Sequence, residues 1–143
     1  MKRTLLLLVL ALAVPPGLAA QGYGDLDQAI SNLSRGFGNG EVRAIVAGLG
    51  ETDKVRLQFP GLIENSGIFG RDQASYLLEK LFSTTSPAGF EQTRARKVSA
   101  EGQYRIEADW TITRGGRTVV VPLYIVLQSK DDRWVLLSVQ SAS

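Results

Sequence analysis

The run TVVVPLYIVLQ, residues 118 to 128, restricts this chain more than any other stretch. Side chains of a β-strand alternate between two faces. Here both alternating sets are apolar: Val119, Val121, Leu123, Ile125 and Leu127 on one side, and Val120, Pro122, Tyr124 and Val126 on the other. A sheet with one wet face alternates polar and apolar residues instead, so this strand needs cover on both sides. The apolar stripes of the helices are all committed to one face. The cover for Val120, Pro122, Tyr124 and Val126 is either another segment of the chain or a second copy; the second copy, a homodimer joined by outer sheet faces, is the favoured reading.

The elements around this strand follow from periodicity. Leu26, Ile30, Leu33 and Phe37 recur at steps of four, three and four, one face of a helix over 25–37. Asp25 and Asp27 suit its positive N-terminal end, and the glycines of GFGNG, residues 36 to 40, stop it. Val42, Ile45, Val46 and Leu49 predict a second, shorter helix closed by Gly50. KVRLQF, residues 54 to 59, alternates as a half-buried strand and ends at Pro60-Gly61; LIENS, residues 62 to 66, is a candidate edge strand. Ala74, Leu77, Leu78, Leu81 and Phe82 predict a third helix over 71–83, capped by Gly70. Turn signals at 101–102, 115–116 and 130–132 divide the remainder into four runs, about 90–100, 103–113, 117–129 and 133–140. Helices first and a four-stranded meander afterwards make the fold class α+β.

Two carboxylates in YRIEADWTIT, residues 104 to 113, test whether the meander carries chemistry. Alternation puts Tyr104, Ile106, Ala108, Trp110 and Ile112 on the core face, and Glu107 and Asp109 on the other with Arg105. A two-residue turn at Glu101-Gly102 pairs positions summing to 203, setting Arg96 opposite Glu107 and Arg94 opposite Asp109. The pair reads as a cross-strand salt ladder, each rung contributing about 0.2–1 kcal/mol. Solvated carboxylates beside arginine stay ionised and make poor general acids. A catalytic pair needs burial to raise one of the two.

Residues 1–20, MKRTLLLLVLALAVPPGLAA, read as a cleaved secretory signal: a basic start at Lys2 and Arg3, an apolar run, a Pro-Pro-Gly break and small residues before a cut after Ala19 or Ala20. The apolar run is about half what a membrane span needs. Residues 21–143 are expected to form one soluble, exported domain, periplasmic or extracellular, with no stable membrane insertion. Losing Lys2 and Arg3 reduces 16 basic residues to 14, against 14 acidic ones, so the surplus that nucleic-acid binding needs is absent. With no cysteine there is no disulfide frame, lipid-modified cysteine or thiol chemistry. With no histidine the usual general base and zinc ligand are missing. No cofactor or metal is expected; Asp131-Asp132 lacks the spaced ligands and glycine of a calcium loop.

Two N-terminal helices, GNGEVRAIVAGLGETDKVRLQFPG, a helix opened by FGRDQASYLLEKLF and a meander ending in RWVLLSVQ together resemble the nuclear transport factor 2-like superfamily over about residues 25–140. The resemblance implies a strongly bent, mostly antiparallel sheet wrapped round three helices as a cone, with a pocket at its wide end. It also implies pairing through the convex sheet, as in many members. Within the superfamily the chain is most similar to an exported bacterial family of unknown function, whose third helix often opens Tyr-Ser-Lys-x-Gln-Ala. Phe69-Gly70-Arg71-Asp72-Gln73-Ala74 stands there in this chain. Enzymes of the superfamily use Asp, His or Tyr inside the cone, but no catalytic position matches residue by residue, so no catalytic residue is assigned.

Tyr104 and Trp110, with Tyr76 near the third helix's stripe, are pocket candidates for a small apolar ligand, and Glu64 and Asp72 flank the expected rim. The opposing reading is that the aromatics simply fill the core. Three functions therefore compete: a non-catalytic exported module that binds an apolar ligand or a protein, a cone enzyme of isomerase, dehydratase or cyclase type using Glu64 or Asp72, and a purely structural interaction domain, which differs from the first only in whether the cone is filled. The volume and polarity of the cone interior discriminate between them.

Overall fold

The computed structural model describes residues 22–98 and 102–142; the signal segment and the Glu101 position of the first meander turn lie outside them. The elements are α1 (Leu26–Asn39), α2 (Val42–Val46), β1 (Lys54–Gln58), β2 (Gly67–Gly70), α3 (Arg71–Thr84), β3 (Pro87–Lys97), β4 (Gln103–Arg114), β5 (Arg117–Lys130) and β6 (Arg133–Ser141). The strands form one sheet in the order β2-β1-β6-β5-β4-β3. β1 runs parallel to β6, and every other neighbouring pair is antiparallel. This is the α+β meander that the periodicities predict.

α1 begins where Asp25 Oδ1 accepts from the Gln28 amide at 2.7 Å, while Gln28 Oε1 accepts from Gly24 N at 2.6 Å. Each side chain satisfies an amide that the helix leaves open. It ends at Gly40, whose φ of 74° is the left-handed geometry glycine supplies without strain. Ala29, Leu33 and Phe37 of α1, Ala44, Ile45 and Val46 of α2, and Ala74, Leu77, Leu78 and Leu81 of α3 are buried. All of these except Ala44 pack with the inner residues of the sheet into a single core.

Tyr23 fastens the chain before α1. It forms a bridge with Trp134, each amide donating to the other's carbonyl at 2.8 Å, and its phenol donates to Ile45 O at 2.8 Å. Burial pushes the phenol far above its ordinary pKa, so it stays a neutral donor. Nothing in the local pattern around Tyr23 predicts this anchor.

Three expectations need correction. LIENS is not a strand: the amides of Leu62 and Ile63 both turn back to Phe59 O, at 3.0 and 3.1 Å, and the strand forms at Gly67–Gly70. Val119 faces the core side but is exposed, because the tip of the β4–β5 hairpin extends past the core. The salt ladder does not form. Arg94 lies opposite Glu107, Arg96 opposite Arg105 and Glu91 opposite Asp109, with an irregularity between Gln92 and Arg94. Among the described residues the ion pairs are Arg35–Glu41, Lys130–Asp53 and Arg133–Asp53, none of them on this ladder.

Asp53 ties the α2–β1 turn to the β5–β6 hairpin. Its buried carboxylate accepts from Gly50 N at 2.8 Å and from Lys130 Nζ at 2.9 Å, with Arg133 Nη1 at 3.6 Å. Desolvation pushes this carboxyl upward, but the Lys130 hydrogen bond, the Gly50 amide and the charges of Lys130 and Arg133 together hold it below its ordinary value. A lowered folded pKa contributes stability above the unfolded value of about 3.9, and that contribution disappears as pH falls through the folded value. Asp53→Asn is expected to cost about 1–3 kcal/mol at neutral pH. In acid-unfolding curves the gap between Asp53→Asn and wild type should narrow below about pH 4; a constant gap would contradict the role.

Candidate functional site

The interior of the sheet's curl is filled by five aromatic rings drawn from separate elements. Trp110 of β4 is fully buried, with ring centroids 5.5 Å from Phe37 of α1, 6.0 Å from Phe82 of α3 and 6.3 Å from Phe59 just past β1. Phe90 of β3 stacks on Phe37 at 6.2 Å. The edge-on contacts suit the positive rim and negative face of aromatic rings. Trp110 Nε1 donates to Phe37 O at 2.8 Å. That carbonyl lies in the last turn of α1, where the helix itself provides no donor, so the plug also satisfies the polar group it covers.

The other pocket candidates do not meet Trp110 in one cavity. Tyr104 is half-buried on β4, its ring 6.2 Å from Trp134. Tyr76 is 66% exposed on α3. It lines a surface groove of about 360 Å³ with Asn65, Phe69, Asp72, Gln73 and Leu77. Glu64 lies elsewhere, in an open cleft of about 760 Å³ with Lys80, Thr84 and Arg114, where Arg114 Nη1 donates to Gly61 O at 2.7 Å. Glu64 and Asp72 are both exposed. A general acid or base of the cone type needs burial and a substrate space beside it. The cluster at the centre of the curl consists of hydrocarbon and one satisfied indole.

The outer face of the sheet is organised differently. Val120 is 54% exposed and Tyr124 42% exposed, with Pro122 exposed and Val126 half-buried between its neighbours. Leu137 of β6 and Ile68 of β2 extend this apolar surface, and both line a groove of about 350 Å³ with Val126, Ser138, Gln140, Lys54 and Arg56. Leu137 escaped the alternation argument because pairing shifts between Val126 and Leu127, which turns Leu137 outward while Leu136 and Ser138 stay buried. Three consecutive apolar residues, Val135, Leu136 and Leu137, were the available signal for such a bulge.

Pairing registers place the outer residues in rows across the sheet. One row runs Arg96, Arg105, Val126, Ser138, Arg56 and Ile68. The next holds Arg94, Glu107, Tyr124, Gln140 and Gln58, and a third Glu91, Asp109 and Pro122. Arginines thus gather in one row and carboxylates two rows along, with a mixed row between. Like charges directly opposite each other destabilise a sheet. This arrangement contains two such pairs, Arg96 with Arg105 and Glu91 with Asp109.

A curled six-stranded sheet closed over three helices, in this order, is the nuclear transport factor 2-like fold. Among solved structures, a DUF4783 family protein from Bacteroides fragilis aligns with a TM-score of 0.62 at 17% identity, covering 77% of this chain and 93% of its own. A protein with a ketosteroid isomerase-like fold from Catenulispora acidiphila, solved with trimethylamine, gives 0.61 at 13% identity, over 83% and 87%. An NTF-2 like protein of unknown function from Shewanella oneidensis gives 0.60 at 16% identity, over 82% and 95%. At these identities the likeness defines the fold and not the activity. No family model and no curated protein matches the sequence.

Proposed function

We propose that this chain is an exported, non-catalytic nuclear transport factor 2-like module whose working surface is the outer face of its sheet, on which two copies pair. The observation that carries this reading is the contrast between a curl filled by Trp110 and its four phenylalanines and a strand, β5, whose outward residues Val120, Pro122 and Tyr124 are exposed and Val126 half-buried among the described residues. Apolar patches rimmed by polar residues mark association sites. Export rests on residues 1–20, and the absence of cysteine argues against a lipid anchor. Glu64 and Asp72 sit exposed in separate clefts, which disfavours the isomerase, dehydratase or cyclase alternative.

The test uses the mature segment, residues 21–143. Light scattering at micromolar concentration is expected to give twice the chain mass, and Tyr124→Lys to reduce it to the chain mass while the circular dichroism spectrum is kept. A wild-type dimer untouched by Tyr124→Lys would place the contact elsewhere and defeat this reading. A second reading has its own support: the groove beside exposed Tyr76, with Phe69, Leu77 and Asp72, offers an aromatic wall to a small apolar ligand. Native mass spectrometry of protein purified from its producing cell tests that reading through retained mass, which Tyr76→Ala should abolish.

A further inference from the structure

We infer that the segregated charges on β3 and β4 set the register of self-pairing, with a two-fold axis lying along the row Arg94, Glu107, Tyr124, Gln140. This rests on the outer face being the docking surface. Rotation about an axis along that row exchanges the rows on either side of it. Arg105 of one copy then lies over Asp109 of the other, Arg96 over Glu91, Val126 over Pro122, and Tyr124 meets its own counterpart. An isologous interface uses each such contact twice.

Two further observations favour a second copy as the occupant. Arg105 Nε is closed off from solvent and has no hydrogen-bond partner among the described residues, a costly state for a donor on a charged group. A facing carboxylate offsets this through the net charge of the half-buried guanidinium rather than by reaching Nε itself. The like-charge pairs Arg96–Arg105 and Glu91–Asp109 are unfavourable in an isolated sheet, and stacking the basic row on the acidic row of a copy turns both into attraction. Sheets that pack face to face lie about 10 Å apart with strands nearly aligned, within reach of arginine on one side and a carboxylate on the other. On the axis row each residue meets its own counterpart, Arg94 over Arg94 and Glu107 over Glu107, so the row carries no net charge and its attraction comes from the diagonal Arg94–Glu107 approaches between copies.

The experiment exploits complementarity between chains. Arg105→Glu places carboxylates on both sides of the axis in the first chain, and Asp109→Arg places guanidiniums on both sides in the second. Each variant alone is expected to lose roughly tenfold or more in self-association, read by light scattering or analytical ultracentrifugation at micromolar concentration. Mixed in equal amounts, the two should form a one-to-one heterodimer. The carboxylate introduced at position 105 then meets the guanidinium introduced at position 109, while native Asp109 of the first chain meets native Arg105 of the second. Raising salt should weaken the wild-type dimer. Arg96→Glu and Glu91→Arg, at exposed positions, repeat the test if either first variant folds poorly. Single variants that remain dimeric while Tyr124→Lys is monomeric would overturn the register and leave the outer-face reading standing. If Tyr124→Lys also stays dimeric, both fall; a monomeric wild type overturns the self-pairing.

Discussion

Trp110→Ala is expected to lower the unfolding free energy by about 3–5 kcal/mol, a large fraction of the roughly 5–15 kcal/mol typical of a domain. The indole is fully buried and touches Phe37, Phe59 and Phe82, whose rings are themselves held by α1, the end of β1 and α3. These supports belong to three elements and cannot collapse together into the gap. The substitution also strips Phe37 O of its donor, adding the cost of a buried acceptor left open. Trp110→Phe separates the two effects: it keeps most of the ring and loses the donor, so a cost of about 1–3 kcal/mol is expected. The cavity left by alanine is lined by phenylalanine rings, and apolar cavities of this kind stay dry and take up benzene or xenon. Benzene should therefore raise the melting temperature of Trp110→Ala and leave the wild type unchanged. A cost below about 1 kcal/mol would mean that the curl is not filled by this side chain.

That experiment bears on function because the same space decides between a ligand-binding cone and a docking module. Alternation alone put Trp110 on the inner face, and the structure agrees. Whether an inner aromatic lines a pocket or plugs it depends on how many other rings arrive. Phe37, Phe59, Phe82 and Phe90 come from four places in the chain, each an ordinary apolar position in its own element. No local pattern records their convergence; it is a property of the closed curl.

The strands show the same division. The Gly115-Gly116 turn was legible because glycine accepts positive φ at both central positions, 59° and 78° here, and Arg114 pairs with Arg117 as that turn requires. Everything downstream of it kept register along β4 and β5. The first meander hairpin was not legible: Lys97 lies opposite Tyr104, and the irregularity between Gln92 and Arg94 shifts the far half again. A bulge adds a residue without any required glycine, so charge patterning suggested rungs that the backbone does not make. The corrected register exposes the separation of arginines from carboxylates, and with it a candidate determinant of pairing.

Gly48→Ala should be almost as damaging, at about 2–4 kcal/mol, from overpacking together with a strained hydrogen bond. A Cβ at this position would stand 2.6 Å from Tyr23 Cε2, 2.7 Å from Cζ and 2.9 Å from Oη. Neither side can yield cheaply. The Tyr23 ring is buried, bonded through its phenol to Ile45 O and through its backbone to Trp134. Gly48 is held in turn by Leu136, whose amide donates to Gly48 O at 2.9 Å. The clash therefore spreads into the corner where the N-terminal segment, α2 and β6 meet. A double-mutant cycle isolates it: Tyr23→Ala removes the obstacle, so Gly48→Ala in that background should cost under about 1 kcal/mol, near the ordinary effect of the change. Equal costs in both backgrounds would show that Gly48 is needed for some reason other than closeness to Tyr23. The expected coupling makes Tyr23 a brace that fixes the α2–β6 corner, so that the segment entering α1 and the last strand of the sheet stabilise one another.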